Sequence, residues 1–148
     1  RYERFIIITD ADVGGAHIAS LVMTFFYCKM PNLISEGHLF LAQPPLYRLN
    51  HGATTVYARD DIHLEDLRSQ TFKGKVDISR FKGLGEMPPA QLKVTTMAPD
   101  TRTLLRVVHE DAFKTLTAQR VEALMGRNPE HRLEFIQKNA KFFSELDV

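Results

Sequence analysis

The stretch FIIITDADVGGAHI, residues 5–18, decides the fold of this chain. It starts with four apolar residues, three of them isoleucine, and this composition without alternation predicts a strand covered on both faces, as in a parallel sheet. Asp10 and Asp12 follow directly. Past a pair of glycines, apolar residues recur every three or four positions, which predicts a helix. The order strand, acidic turn and helix predicts an α/β fold with a ligand site at the carboxyl end of the strand.

The two acids suit a divalent cation. Carboxylates at positions i and i+2 of an extended chain point the same way and lie about 6–7 Å apart at Cα, given a rise of about 3.3 Å per residue. Mg²⁺ prefers oxygen ligands and keeps several waters, so one or two carboxylates and phosphate oxygens complete a typical site. The pattern therefore predicts that Asp10 and Asp12 bind a metal for phosphate chemistry. On the pattern alone, a helix cap and a solvated acid explain the two residues equally well.

A second candidate site follows a half-exposed strand predicted at residues 76–81. The sequence RFKGLGEM, residues 80–87, places Arg80 and Lys82 next to a Gly-Leu-Gly turn. Such glycines can present backbone N–H groups to a phosphate. A tight turn with solvated bases is the simpler interpretation. His17, in the first turns of the predicted helix, is a candidate DNA or metal contact, or an ordinary capping or packing residue.

Turn and cap residues divide the rest of the chain. They predict a strand at residues 38–42, a hairpin with arms at 46–49 and 55–58, and a short helix capped by Asp60 or Asp61. Two further helices are predicted from apolar stripes, which comprise Phe113, Leu116, Val121, Leu124 and Met125, and then Leu133, Ile136, Ala140 and Phe143. We predict one domain over residues 1–100 and a helical tail over residues 101–148, which forms either a local core or a docking surface.

Composition narrows the class of protein. The chain has 148 residues, of which 44% are hydrophobic and 25% charged, so it can bury a core. Its formal net charge is +1, and DNA binding would therefore need a local basic patch. The single cysteine allows no intrachain disulfide, and neither a signal peptide nor a membrane-length apolar run is found. These features predict a soluble cytoplasmic protein with no membrane partner.

The motif DADVGGAHI, residues 10–18, resembles the Asp-x-Asp-x-Asp-Gly-x-His-Ile motif of the Toprim domain in the B subunit of bacterial type IIA DNA topoisomerases. Four more stretches resemble the family in the same order, namely TFFY at 24–27, AQPPLY at 42–47, FKGLGEM at 81–87 and FIQKNA at 135–140. Residues 57–61 and 146–148 resemble topoisomerase IV (ParE-like) more than gyrase (GyrB). The resemblance implies a Toprim-type, mostly parallel sheet flanked by helices, with a small hairpin insertion and a helical C-terminal tail.

The resemblance also implies a function. The family is ATP-dependent, and this part of the protein supplies acids that bind Mg²⁺, or Mn²⁺ or Ca²⁺ in its place, for double-strand DNA cleavage and religation. Asp10 and Asp12 are the implied metal ligands and catalytic acids, and His17, Arg80 and Lys82 are the candidate DNA contacts. The implied partners are double-stranded DNA and a ParC-like or GyrA-like A subunit, whose Tyr attacks the DNA, in an A2B2 heterotetramer. ATP is expected to bind only to the full-length protein and not to this chain, which alone should be inactive.

Two departures from the family leave other functions open. Gly14 stands where the motif has its third Asp, and the family's upstream Glu-Gly-Asp-Ser-Ala motif is not in the chain. We therefore expect the C-terminal portion of a larger subunit, or a degenerate relative. One alternative is a haloacid-dehalogenase-type phosphohydrolase with Asp10 as nucleophile and Asp12 as acid/base, although no distal acidic pair can be placed. The other, which Gly14 favours, is a non-catalytic interaction module.

Overall fold

The computed structural model describes residues 2–70, 76–109 and 114–140, and it has a mixed α/β architecture. The chain forms two compact units, Arg1–Val107 and Val108–Val148. The predicted domains, residues 1–100 and 101–148, remain a prediction, because spatial clustering does not test independent folding. In the described ranges, no helix is long and apolar enough to cross a membrane.

The first sheet carries the acidic stretch. Its three strands are β1 (Phe5–Ile7), β2 (Leu39–Ala42) and β6 (Leu104–Arg106), in the spatial order β1-β2-β6. β1 pairs with β2 in parallel, and β2 pairs with β6 in antiparallel orientation. The parallel pair is the arrangement predicted for a strand, helix and strand unit. β6 was not predicted, because three residues are too short to show a hydrophobic period.

β1 is more exposed than its sequence predicts, so the expected burial on both faces is wrong. Phe5 is 38% exposed and Ile8 is 37% exposed. On its covered side, the Phe5 ring contacts Phe26 of the following helix, with 6.0 Å between ring centroids. One helix cannot cover both faces of a three-stranded sheet. The strand also ends at Ile7, one residue earlier than predicted, so Asp10 lies in a connection and not on the strand.

The helix α1 (Val13–Lys29) follows the acidic turn as predicted, but it begins at Val13, before the pair of glycines and not after it. The Asp12 side chain accepts a hydrogen bond from the Gly15 N–H at 2.6 Å and so caps the helix. Gly15 is buried, and a Cβ at this position would lie 2.0 Å from the Asp10 carbonyl oxygen. Only glycine allows this approach, which folds the acidic connection tightly onto the helix start. A short helix, α2 (Asn32–Ser35), then leads to β2.

The second sheet contains the predicted hairpin. Its strands are β3 (Tyr47–His51), β4 (Thr54–Ala58) and β5 (Asp77–Arg80), all antiparallel in the order β4-β3-β5. Gly52 has φ +60° in the hairpin turn, a conformation that favours glycine. Asp60 caps α3 (Asp61–Gln70) by accepting a hydrogen bond from the His63 N–H, as predicted. The core of this sheet consists of Tyr47, Leu49 and Ala58, with Leu46, Leu64, Leu67 and Val76 packed against it.

The segment after β5 forms a succession of short turns. It contains a 3-10 turn (Leu84–Glu86), the helix α4 (Pro89–Leu92) and a π-helical turn (Lys93–Met97). Phe81 and Met87 are buried on either side of the 3-10 turn, and the Phe81 N–H donates to the Leu46 carbonyl at 2.8 Å. The turn is therefore fixed to the second sheet at its start.

The second unit contains two helices, α5 (Lys114–Met125) and α6 (Pro129–Asn139), which contact each other. Asn128 caps α6, accepting a hydrogen bond from the Glu130 N–H at 3.0 Å. The predicted stripes are largely exposed, since Leu116 is 42%, Leu133 55% and Ile136 60% exposed. Two further stripe residues, Phe113 and Phe143, lie outside the described residues.

Tyr47 links the hairpin to α3. Its ring is buried, and its hydroxyl donates a hydrogen bond of 2.5 Å to the Asp61 carboxylate. This hydrogen bond is the main reason that the pKa of Tyr47 lies above 10.0, and burial raises it further, while Arg80 acts in the opposite direction. The Arg80 guanidinium carbon lies 5.9 Å from the centroid of the Tyr47 ring.

We expect Tyr47→Phe to lower the free energy of unfolding by about 1 kcal/mol at neutral pH, through loss of this hydrogen bond. Because the folded protein raises the Tyr47 pKa, the hydrogen bond contributes fully below the unfolded pKa of about 10 and is lost as pH rises through the folded pKa. Urea unfolding of both proteins from neutral to strongly alkaline pH measures this. Tyr57→Phe, on the same hairpin, is the control, and a Tyr47→Phe difference independent of pH contradicts the assignment.

Candidate functional site

Asp10 forms the junction of the candidate site. It is exposed in the connection between β1 and α1, and its Oδ1 accepts a hydrogen bond from the Leu84 N–H at 2.8 Å. The two residues are 74 positions apart, so this contact joins the acidic stretch to the Gly-Leu-Gly turn. Gly83 lies against the same carboxylate, because a Cβ there would lie 3.1 Å from Asp10 Oδ2. The acidic motif and the Gly-Leu-Gly turn are therefore in direct contact.

Two backbone amides of the segment that contains the Gly-Leu-Gly turn already have partners within the chain. The Lys82 N–H donates to Glu86 Oε2 at 2.9 Å, and the Leu84 N–H donates to Asp10. Phosphate binding by the turn stays a prediction, but these two N–H groups are not available for it. Carboxylates of the chain itself already occupy both N–H groups, and each group can donate only one strong hydrogen bond.

Asp12 caps a helix, in addition to its predicted role as a metal ligand. Its Oδ1 accepts the Gly15 N–H and caps α1, so the simpler interpretation of this residue is confirmed. The other carboxylate oxygen is left for a cation, because capping uses only one of the two. A Cβ at Gly14 would lie 3.5 Å from Asp12 Oδ1, which is ordinary van der Waals contact. A side chain at position 14 therefore fits, and it would point to the Asp12 carboxylate.

The three predicted DNA contacts occupy different places. Lys82 is exposed and directly precedes the glycine that touches Asp10. His17 is exposed in the second turn of α1. Arg80 is exposed at the end of β5, over the Tyr47 ring. In the part of the chain that the structure describes, no hydrogen bond or ion pair joins the side chains of these three residues to either acid, and Lys82 is the one next in sequence to a residue that contacts Asp10.

The donor set fits a weakly held Mg²⁺ and not a complete protein cage. Within the described ranges, no group of three or more His, Cys, Asp or Glu residues could hold a metal ion. Asp10 and Asp12 are both exposed, and each uses one oxygen for a backbone N–H. Mg²⁺ is commonly held by one or two carboxylates, with water and substrate phosphate as its other ligands. The two acids match that mode of binding.

A separate cleft of about 520 Å³ lies in the first unit. It is lined by Gln43, Pro45, Tyr57, Arg59, His63, Val94, Thr95, Thr101 and Thr103. None of the five sequence-predicted residues lines it, and its lining includes no carboxylate. We therefore place the candidate metal site at Asp10 and not in this cleft, because Mg²⁺ requires hard oxygen ligands such as carboxylates.

Sequence reasoning missed the residues that support Asp10. The Leu84 N–H contacts its carboxylate, and Gly83 leaves space for it, but the sequence pattern predicts a role for this turn only toward an external phosphate. The paired glycines were the available signal, since they indicate a close backbone approach. Nothing in the sequence identifies which group approaches.

Comparison with known proteins finds relatives over the whole chain. A family described as "DNA gyrase B subunit, carboxyl terminus" matches residues 73–137. The chain is 61% identical over 153 aligned positions to the B subunit of DNA topoisomerase 4 from Caulobacter vibrioides and 55% identical over 150 to that from Bartonella bacilliformis. It is 49% identical over 149 positions to the B subunit of DNA gyrase from Halalkalibacterium halodurans. All of this chain is covered in each comparison, but it spans only 21–23% of the length of these relatives.

Substitutions at Asp12 separate its cap from its charge. In EDTA, we expect Asp12→Ala to lower the free energy of unfolding by about 1 kcal/mol and Asp12→Asn to change it little, because Asn caps helices as well as Asp. Both variants should bind Mn²⁺ more weakly, since both lose the charge. Urea unfolding and Mn²⁺ titration measure the two effects. Equal destabilisation by Ala and Asn contradicts the cap, and unchanged Mn²⁺ affinity in Asp12→Asn contradicts the ligand role.

Proposed function

Because the chain belongs to the family of B subunits of bacterial type II DNA topoisomerases, over about a fifth of their length, we propose that it supplies the Mg²⁺-binding acids for double-strand DNA cleavage and religation during strand passage. The observation that carries this proposal is the contact between Asp10 and the Gly-Leu-Gly turn. It brings an exposed carboxylate next to Lys82, at the carboxyl end of a parallel strand. This is where α/β folds bind phosphate ligands.

Each residue has a proposed role. Asp10 and Asp12 hold the cation through the oxygens that do not accept backbone N–H groups. When bound, Mg²⁺ supplies stabilisation of the negative charge on the phosphate and the leaving oxygen. Lys82 pairs with a DNA phosphate near Asp10, and His17 and Arg80 contact the DNA backbone farther away. Phosphate contacts of this kind position DNA without reading its sequence.

The remaining parts of the reaction lie outside this chain. We propose that a ParC-like or GyrA-like A subunit supplies the nucleophilic Tyr in an A2B2 heterotetramer, and that ATP binds elsewhere in the full-length protein. The first unit is assigned to the Toprim type, and the assembly to the bacterial cytoplasm. Since the two closer relatives quoted above are topoisomerase IV proteins, we favour topoisomerase IV over gyrase.

One alternative rests on a specific observation. Gly14 removes the third acid of the family motif, and the described residues contain no group of three metal ligands. A non-catalytic module that keeps the fold without binding metal would have these features. The phosphohydrolase alternative gains nothing from the comparisons, since the relatives quoted are topoisomerase subunits.

The proposed function is tested by reconstitution. The chain is combined with the N-terminal part of a related B subunit, its A subunit, linked DNA circles, ATP and Mg²⁺, and decatenation is followed on gels. We expect activity, and we expect Asp10→Asn to lower it by about 100-fold or more, because a charged group that stabilises the transition state is lost. Asn still accepts a hydrogen bond from Leu84, so this change leaves the local fold in place.

Two results would decide against a working site. Undiminished decatenation by Asp10→Asn removes Asp10 from the reaction. An assembled complex that is inactive with the natural chain but active with Gly14→Asp identifies the chain as a non-catalytic relative. Glu86→Gln is the control. It removes the charge of a neighbouring acid but keeps an oxygen that accepts the hydrogen bond from the Lys82 N–H.

Gly14→Asp should raise the affinity for Mg²⁺ or Mn²⁺ by about 10- to 100-fold, the range associated with groups that support a metal site. The new Cβ fits at 3.5 Å from Asp12 Oδ1 and directs the added carboxylate toward the existing acids. Isothermal titration with Mn²⁺ measures the change. Gly14→Asn has nearly the same size without the charge and should bind as the natural chain does. Equal affinities for all three proteins would refute the role assigned to position 14.

A further inference from the structure

We propose that the Gly83–Leu84 turn is a positioning device that fixes the orientation of the Asp10 carboxylate before a divalent cation binds. This inference rests on the proposed function, because it concerns the same acid. It adds two residues whose part in the site is to hold Asp10 and not to bind metal or DNA. Three features of the turn support this role.

The first feature is the hydrogen bond. Asp10 lies in a connection and is exposed, so its orientation depends on the few groups that touch its carboxylate. The Leu84 N–H donates to Oδ1 at 2.8 Å. A hydrogen bond to an ionised acceptor is stronger than one between neutral groups. It holds Oδ1 toward the turn and so restricts the orientation of the whole carboxylate.

The second feature is the missing side chain at Gly83. Its φ of −161° and ψ of 168° describe extended backbone that any residue adopts, so the conformation does not require glycine. A Cβ at this position would lie 3.1–3.2 Å from all three atoms of the Asp10 carboxyl group, which is tighter than ordinary van der Waals contact. An alanine would therefore require the carboxylate to shift by a few tenths of an ångström, which weakens its hydrogen bond with the Leu84 N–H.

The third feature is the rigidity of the turn itself. Glu86 Oε2 accepts the Lys82 N–H at 2.9 Å, and the Glu86 N–H donates to the Gly83 carbonyl at 3.1 Å. Phe81 and Met87 are 7% and 6% exposed, so both ends of the turn are anchored in packed structure. A rigid support that fixes a ligand before binding reduces the conformational freedom lost when the metal binds.

Gly85 provides a matched control in the same turn. It lies two residues from Gly83, yet a Cβ there would meet no atom within 4 Å. Its φ is not positive, since the positive-φ glycines among the described residues are Gly37 and Gly52. Alanine at Gly85 therefore changes the backbone freedom of the turn, as it would at Gly83, without touching Asp10.

The test compares Gly83→Ala with Gly85→Ala in the 148-residue chain. In EDTA, amide hydrogen exchange of Leu84, measured by NMR, should become at least about tenfold faster in Gly83→Ala, because the hydrogen bond is lost. Mn²⁺ affinity, measured by electron paramagnetic resonance, should fall by about 10- to 100-fold in the same variant. Gly85→Ala should change neither quantity. Equal exchange rates and equal Mn²⁺ affinities for the two variants would overturn the proposal.

A second pair of variants avoids any dependence on the folding of Gly83→Ala. Asp10→Ala should speed Leu84 exchange, and Asp10→Asn should restore protection, because an amide oxygen still accepts the N–H. Slow exchange in Asp10→Ala would overturn the proposal. A natural chain that binds no Mn²⁺ would overturn the proposed function instead, and the exchange measured in EDTA still decides whether the turn holds Asp10.

Discussion

The hydrogen bond from the Leu84 N–H to the Asp10 carboxylate is the constraint on which the candidate site depends. Asp10 follows β1 of the first sheet, and Leu84 follows β5 of the second. The acid and the turn that contains Lys82 therefore follow strands of two different sheets. The hydrogen bond brings the two segments together at the end of a parallel strand, where they form one candidate site. The contact therefore determines both the position of the proposed metal ligand and its neighbours.

Glycines at two positions make that arrangement possible for reasons of space. Gly15 allows the start of α1 to approach the Asp10 backbone, where a Cβ would lie 2.0 Å from its carbonyl oxygen. Gly83 allows the turn to approach the Asp10 side chain. Asp10 is thus held from its backbone by one motif and from its carboxylate by the other. Asp12 completes the arrangement by capping α1, which ties the second acid to the same helix start.

The local structure of this chain could largely be predicted from the sequence, because its signals are local. The hairpin, the Asp60 cap and the helix after Asp12 are all confirmed. The exposure of Phe5 and the strand β6 could not be predicted, because both depend on which elements pack beside them. The link between Asp10 and Leu84 spans 74 residues and has no sequence signature. The metal and DNA roles of the candidate residues remain predictions.

The most direct measurement of the central claim is paramagnetic broadening of backbone amide signals during a Mn²⁺ titration of the chain. If Asp10 and the turn form one cation site, amides of residues 10–15 and of residues 82–86 should broaden together, at the same Mn²⁺ concentration. Broadening of one segment without the other, or broadening centred on a different acidic segment such as residues 60–66, would contradict a shared site.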